Sequence, residues 1–328
     1  MHILVLGAAG MVGRKLCERL SRDGRLGKSD ITKLTMHDVV EPKAPERAGF
    51  AVETVSSDFA VPGAAEKLIA GRPDVIFHLA AIVSGEAELD FDKGYRINLD
   101  GTRMLLDAVR LAGGGYKPRV VFTSSIAVFG APFPDAIGDE FFHTPLLSYG
   151  TQKAIGELLL ADYSRRGFLD GIGIRLPTIC IRPGLPNKAA SGFFSNILRE
   201  PLAGKESVLP VSEDVRHWHA TPRSAVGFLL HAGTMDLAAV GPRRNLTMPG
   251  LSATVGEQIA ALKRVAGDKV AARIKREPDP FIVGIVGGWP RNFNAKRSLE
   301  LGFTTAEKTF DDIIRIHIED ELGGNFVA

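Results

Sequence analysis

Seven residues into the chain stands Gly7-Ala-Ala-Gly10-Met-Val-Gly13, directly after the apolar run Ile3–Leu6 and directly before residues with helical spacing. Three glycines at this spacing between a strand and a helix allow a tight turn. They let the backbone approach a pyrophosphate closely and let the helix pack on the strand it follows. The position of the motif fixes the first βα unit, with a buried strand over Ile3–Leu6 and a helix over Met11–Arg22 carrying Val12, Leu16 and Leu20 on one side.

The alternation continues. Strands are expected at Ile31–His37, Ala51–Val55, Val75–Leu79, Arg119–Ser124 and Gly173–Leu176, with helices at Ala64–Ala70, Tyr95–Ala112 and Tyr149–Arg165. Repeated βα units predict an α/β fold, a Rossmann-type doubly wound parallel sheet with helices on both faces. Pro177, Pro183, Pro186, Pro201, Pro210 and Pro222 then break the pattern. A helix over Pro222–Gly233 returns to the main sheet. Beyond it come a helix at Thr254–Val265, an apolar turn-rich stretch at Phe281–Gly288 and a final helix at Thr309–Leu322. The expected division is 1–176 with 218–239 as the first domain, and 177–217 with 240–328 as a smaller C-terminal substrate domain.

The 328 residues suffice for one large α/β domain with a smaller appended one, and a hydrophobic content of 45% supplies a sizeable core. A net charge of +2 without a long run of one sign argues against nucleic acid. Cys17 and Cys180, both in apolar runs, read as buried thiols of a reducing compartment. Met1–Gly7 is too short and glycine-interrupted for a signal peptide, and no stretch reaches the roughly 20 apolar residues that span a bilayer. No membrane partner and a cytoplasmic location are expected.

Several residues at expected strand ends carry chemistry. Asp38 closes the second strand, where a carboxylate accepts hydrogen bonds from ribose hydroxyls and repels a 2′-phosphate, so NAD is expected over NADP. Asp58-Phe59 follows the third strand and could meet an adenine ring. His78-Leu79-Ala80-Ala81 closes the fourth, its small residues letting a ligand lie close, while His78 itself reads as a packed strand histidine. Asn98, with Gly101-Thr102, could bond backbone around a cofactor or tie helix to loop. Ser124 and Ser125 end the fifth strand and point to opposite faces, so only one can meet a substrate.

Tyr149 and Lys153 lie four apart on a helix, on one face, with Cβ atoms roughly 5–6 Å apart. A free tyrosine has a pKa of about 10. A neighbouring ammonium favours the phenolate and lets it take a proton from an alcohol. With a hydride acceptor on the glycine loop and a serine to hold the alcohol, this is equipment for carbinol oxidation. His217-Trp218-His219 has strand spacing without a surrounding ligand set, so no metal is expected. Arg182, Arg216, Arg223 and Arg291, in or beside the second domain, are the candidates to grip a carboxylate or phosphate.

As a set, Gly7-x-x-Gly10-x-x-Gly13, Asp38, His78-Leu-Ala-Ala81, Asn98-x-x-Gly101-Thr102, Ser125-Ile-Ala-Val-Phe-Gly130 and Tyr149-x-x-x-Lys153 resemble the extended short-chain dehydrogenase/reductases, the NAD-dependent epimerase/dehydratase family. The resemblance covers residues 1–175. It selects Ser125 over Ser124 and implies Tyr149 as the base, Lys153 as the group that lowers its pKa and holds the nicotinamide ribose, and Ser125 as the anchor of the reacting oxygen. Phe129 stands where the family usually has tyrosine. Dehydratases of the family carry Asp-Glu where this chain has Ile126-Ala127, so elimination chemistry is not expected.

The segments Phe193–Leu202, Arg216–Arg223 and Trp289–Arg297, with Leu301-Gly-Phe303, are similar to members that oxidise a four-carbon sugar acid at C2. The implied cofactor set is Gly7, Gly10, Met11, Val12, Gly13, Asp38, Asp58, Leu79, Ala80, Ala81, Asn98, Tyr149, Lys153 and Pro177. The substrate end is expected at Ser84, Ser125, Tyr149, Thr178, Arg182, Arg216 and His217. A nucleotide-sugar 4-epimerase using the same triad is the alternative enzyme, and a non-catalytic NAD-sensing protein the alternative of another class. The resemblance also implies a homodimer through helices Tyr95–Ala112 and Tyr149–Arg165.

Overall fold

The computed structural model describes residues 1–184 and 191–328; Pro186 of the proline series lies outside them. Seven parallel strands form the central sheet: β1 His2–Leu6, β2 Lys33–Asp38, β3 Ala51–Ser56, β4 Val75–His78, β5 Arg119–Ser125, β6 Asp170–Leu176 and β7 Asn245–Thr247. Their spatial order is β3-β2-β1-β4-β5-β6-β7. β1 lies between β2 and β4, Val5 pairing with Met36 on one side and Phe77 on the other. The chain therefore winds outward in both directions from β1, and a crevice opens where the carboxyl ends of β1 and β4 part company.

The inner strands β1 and β4 are apolar on both faces because helices cover both, whereas the edge strand β3 alternates exposed and half-buried residues. Ile3 and Val5 join Leu16 and Leu20 of helix Met11–Asp23 and Phe228 and Leu229 of helix Pro222–Thr234 in one core. Leu4 and Leu6 join Leu105, Val109 and Leu160 in the other, under helices Thr102–Leu111 and Ser148–Arg165.

Three expectations need correction. The single helix expected over Tyr95–Ala112 is a helix Phe91–Gly94, a π-helical segment Tyr95–Gly101 and helix Thr102–Leu111. The stretch Phe281–Gly288, expected as turns, is a helix over Pro280–Val286, its first N–H groups capped by Asp279 and proline at its first turn. Asn245–Thr247, placed by sequence in the second domain, is the edge strand β7, paired with Gly173–Arg175 of β6. Gly173 makes room for it, since a Cβ there would stand 2.0 Å from Asn245 Oδ1.

Pro177 alone separates β6 from the short strand Thr178–Ile179, which leaves the central sheet for a three-stranded one. Arg216–Ala220 is its middle strand, parallel to Thr178–Ile179 and antiparallel to Leu251–Thr254. Helices Gly192–Leu202, Val255–Ala266 and Phe310–Leu322 close a separate core with Phe194, Ile197, Leu198, Ile259, Leu262, Ile313 and Ile314. Phe129, Ile137, Trp218 and Phe293 form an apolar seam beside the crevice.

Candidate active site

The glycine loop sits at the mouth of the crevice. Gly7 has φ of +88°, and a Cβ on it would stand 2.7 Å from Ala80 N, so both conformation and space demand glycine. A Cβ on Gly13 would stand 2.0 Å from Gly7 O, which is how closely helix and loop approach. Gly10 opens helix Met11–Asp23 with no side-chain cap, leaving its first N–H groups facing the cleft lined by Gly10, Met11, Val12 and Gly13. Asp38 Oδ2 accepts from Ala9 N at 2.9 Å and Oδ1 from Val39 N at 2.7 Å. The carboxylate is thereby held beside the loop, with lone pairs left for ribose hydroxyls. Open cradle, uncapped helix start and adjacent carboxylate fit a dinucleotide.

Other expected cofactor residues divide. Leu79, Ala81 and Pro177 line the cleft; Ala80 does not, its backbone packing against Gly7 of the loop. Asp58 pairs with Arg96 Nη1 at 2.7 Å and caps Ala60 N, while Phe59 is buried beneath Gly101. Asn98 is buried, its amide bonded to both backbone groups of Ile82 and, at 2.8 Å, to Gln152. It therefore reaches the cleft only through the loop 82–84. His78 is 1% exposed and bonded to Thr102; burial, and secondarily the nearby Lys153, push its pKa down to about 3, which makes it a neutral packed residue.

Strand alternation separates the two serines. Both line the cleft, but the Ser124 hydroxyl is spent on Glu157 Oε1 at 2.5 Å, while Ser125 Oγ accepts from Ala127 N and meets Tyr149. Tyr149 stands in the first turn of helix Ser148–Arg165. Burial raises its pKa, and Arg182 and the bond with Ser125 work in the other direction. Lys153 is 3% exposed, its ammonium 5.8 Å from the Tyr149 ring centre and donating to Thr123 O at 2.7 Å. Burial pushes its pKa down to about 7, against the pull of Glu157.

Beneath this trio lies a charge cluster the sequence reading missed. Glu157 is fully buried, gripped by Arg175 Nε at 2.9 Å and Nη2 at 2.7 Å, with His143 Nε2 at 3.0 Å. Burial alone would raise the carboxyl, but the Arg175 guanidinium overrides it and holds the pKa at about 2. The one available signal was spacing: Glu157 is four residues beyond Lys153 on the same helix.

At the substrate end, Ser84, Thr178, Arg182 and His217 all line the cleft with Ser125 and Tyr149. Arg216 does not. It neighbours His217 on a strand and so points to the opposite face, where it meets Ser252 O and Glu257. Arg223 pairs with Glu319 and Asp320, and Arg291 is exposed outside the cleft. Arg199, unforeseen, lines the cleft but is engaged by Glu200 and by the carbonyl of Arg182. Trp289 and Pro290 complete the far wall of a cavity of about 410 Å³. Among the described residues no group of three His, Cys, Asp or Glu is arranged to hold a metal ion.

A parallel sheet wound from β1, a glycine cradle and a Ser-Tyr-Lys cluster at the carboxyl edge define a class, and the chain belongs to the NAD-dependent epimerase/dehydratase family, whose model matches residues 3–220. It is an NAD-dependent dehydrogenase of the extended short-chain type. The D-erythronate dehydrogenase of Cupriavidus necator is 45% identical over 98% of both chains. That of Haemophilus influenzae is 40% identical over 98% of this chain and all of the relative. The solved structure of a nucleoside-diphosphate-sugar epimerase from Agrobacterium tumefaciens superposes with a TM-score of 0.96, at 69% identity over 99% of this chain and 95% of that one.

Proposed function

We propose that the protein oxidises a short sugar acid, D-erythronate in the first instance, at its C2 hydroxyl. Tyr149, as phenolate, takes the hydroxyl proton; Ser125 hydrogen-bonds the same oxygen and holds it against the cofactor face of the cleft. Lys153 holds the ribose end of the cofactor, and Arg182 faces the substrate carboxylate. NAD, held by the glycine loop and Asp38, supplies the hydride acceptor. The observation that carries this reading is the convergence of Ser125, Tyr149, Lys153 and Arg182 on one cleft. Full-length similarity to two D-erythronate dehydrogenases supports the substrate. Ile126-Ala127 in place of an acid pair supports oxidation over elimination.

The similarity to the Agrobacterium structure favours a second reading, nucleotide-sugar 4-epimerisation with the same trio and no net NADH. Following NADH absorbance with four-carbon sugar acids, beside chromatography of UDP-sugars, separates the two. NADH formation with D-erythronate is expected; interconversion of a sugar nucleotide with no NADH from any acid would exclude the dehydrogenase reading.

We also propose a cytoplasmic homodimer formed through helices Thr102–Leu111 and Ser148–Arg165. Exposed Leu111 and Leu158 on these elements, with Leu89 and Phe91 on the adjoining ones, support the interface. Buried free thiols at Cys17 and Cys180 suit a reducing compartment. No helix among the described residues is long and apolar enough to cross a membrane.

A further inference from the structure

The wall of the cleft beyond β6 carries a hydrogen-bond relay whose proton positions follow from chemistry. His217 Nδ1 lies 2.8 Å from Pro290 O, and its Nε2 lies 2.7 Å from Thr178 Oγ1. A carbonyl oxygen only accepts, so the ring proton sits on Nδ1. The imidazole is 3% exposed, stacked parallel to Phe194 at 5.2 Å and packed against Trp289 at the same distance. Burial, with the charge of Arg182 adding to it, depresses its pKa to about 4, so the ring is neutral at neutral pH. Its Nε2 is then a bare lone pair, and the Thr178 hydroxyl must donate to it. Thr178 has one proton, and the relay uses it. What its oxygen offers the cleft is lone pairs alone.

We propose that Thr178 is a specificity-determining residue, an acceptor-only point that takes a hydrogen bond from a substrate hydroxyl other than the one oxidised. The inference rests on the sugar-acid reading and deepens it. A carboxylate or keto oxygen set against Thr178 would bring two acceptors together, so the acid group is turned towards the opposite sign. That sign is supplied on the same wall by Arg182, whose guanidinium is anchored by donating to Ile179 O at 3.1 Å and Ser191 Oγ at 2.9 Å. The cleft thus has a direction, with the carboxylate at Arg182 and a further hydroxyl at Thr178. A hydroxy acid lacking other hydroxyls satisfies one end and leaves the other unpaired. The carboxamide N–H of the cofactor is the other donor that could meet Thr178, and the two sources differ in which KM responds.

The test compares wild type and Thr178→Val, of nearly the same shape, on D-erythronate and on 2-hydroxybutanoate, which has no second hydroxyl. Loss of one neutral hydrogen bond is expected to lower kcat/KM for D-erythronate by about tenfold. The value for 2-hydroxybutanoate does not fall, since Thr178 has no partner on that acid to lose, and the KM for NAD stays unchanged. Equal losses on both acids, or a change confined to the KM for NAD, would overturn the proposal. Heteronuclear NMR of the His217 ring nitrogens reads the relay directly. A protonated Nδ1 with bare Nε2 is expected, and a proton on Nε2 overturns the assignment whatever the activity. Wild-type inactivity on both acids would sink the sugar-acid reading and this inference together. Activity with a ratio that Thr178→Val leaves unaltered sinks only this one.

Discussion

Tyr149 has to lose a proton to act as a base, and its burial opposes that. Removing the hydroxyl removes the proposed base, so Tyr149→Phe should lower kcat by about a hundred- to ten-thousand-fold. NAD affinity by calorimetry should hold, because the glycine loop and Asp38 are untouched. Arg182 is the nearby charge that favours the phenolate. In Arg182→Gln that positive charge is gone, the Tyr149 pKa rises, and the limb of the kcat profile that climbs with pH moves to higher pH. The KM for the acid rises as well; a profile that stays in place would show that Arg182 does not act on Tyr149. Sequence motifs located Tyr149, Lys153 and Ser125 because each belongs to a short local pattern. Arg182 was one of four candidate arginines, and nothing local separated it from the others except strand parity, which would have excluded Arg216 beside His217. The Thr178–His217 pair, 39 residues apart, has no local pattern at all.

Helix Ser148–Arg165 carries its chemistry on one face, with Tyr149, Lys153 and Glu157 stepping down it into the core. Glu157 is the anchor, since it holds Arg175 of β6 and meets Ser124 of β5, tying the helix to both strands that end at the cleft. Glu157→Gln leaves the buried Arg175 guanidinium with only the more distant Asp139 carboxylate, 3.7 Å from Nη1, as counter-charge, so the cost should approach but not exceed the roughly 3–5 kcal/mol of a fully broken buried pair. The pH dependence has a definite sign. Glu157 is held at about 2 in the folded protein against an ordinary 4.5, so its contribution is complete above 4.5 and lost as pH falls towards 2. Urea melts should show a wide stability gap between wild type and variant at neutral pH that narrows through that window. A gap independent of pH would remove the ion pair as its cause.

The elements themselves were legible where apolar period and flanking glycines agreed, which is why β1 to β6 fall near their expected places. β7 is three residues, Asn-Leu-Thr, too short for any period. Helix Pro280–Val286 was hidden by Gly284, Gly287 and Gly288, although Asp279-Pro280 is a helix-start signal.

At the scale of the molecule, helix Ser148–Arg165 carries both the proposed catalytic pair, Tyr149 and Lys153, and part of the exposed apolar surface. Leu158 lies one residue beyond Glu157, on the outer side of helix Ser148–Arg165, and is 64% exposed; Leu111, at the end of helix Thr102–Leu111, is 66% exposed. With Leu89 and Phe91 on adjoining elements, these side chains leave apolar area in water that association through this face would cover. A dimer is therefore expected by light scattering, and Leu158→Glu should shift it towards monomer by placing a carboxylate at a desolvated face. The substitution points away from the core, so the monomer should keep its fold by circular dichroism. Coupling to chemistry then becomes measurable. If pairing these helices steadies the Tyr149–Lys153 face, kcat falls in step with the monomer fraction, while the affinity of the glycine loop for NAD does not. A wild-type protein that scatters as a monomer at all concentrations would refute the interface, and an active monomeric Leu158→Glu variant would separate assembly from catalysis.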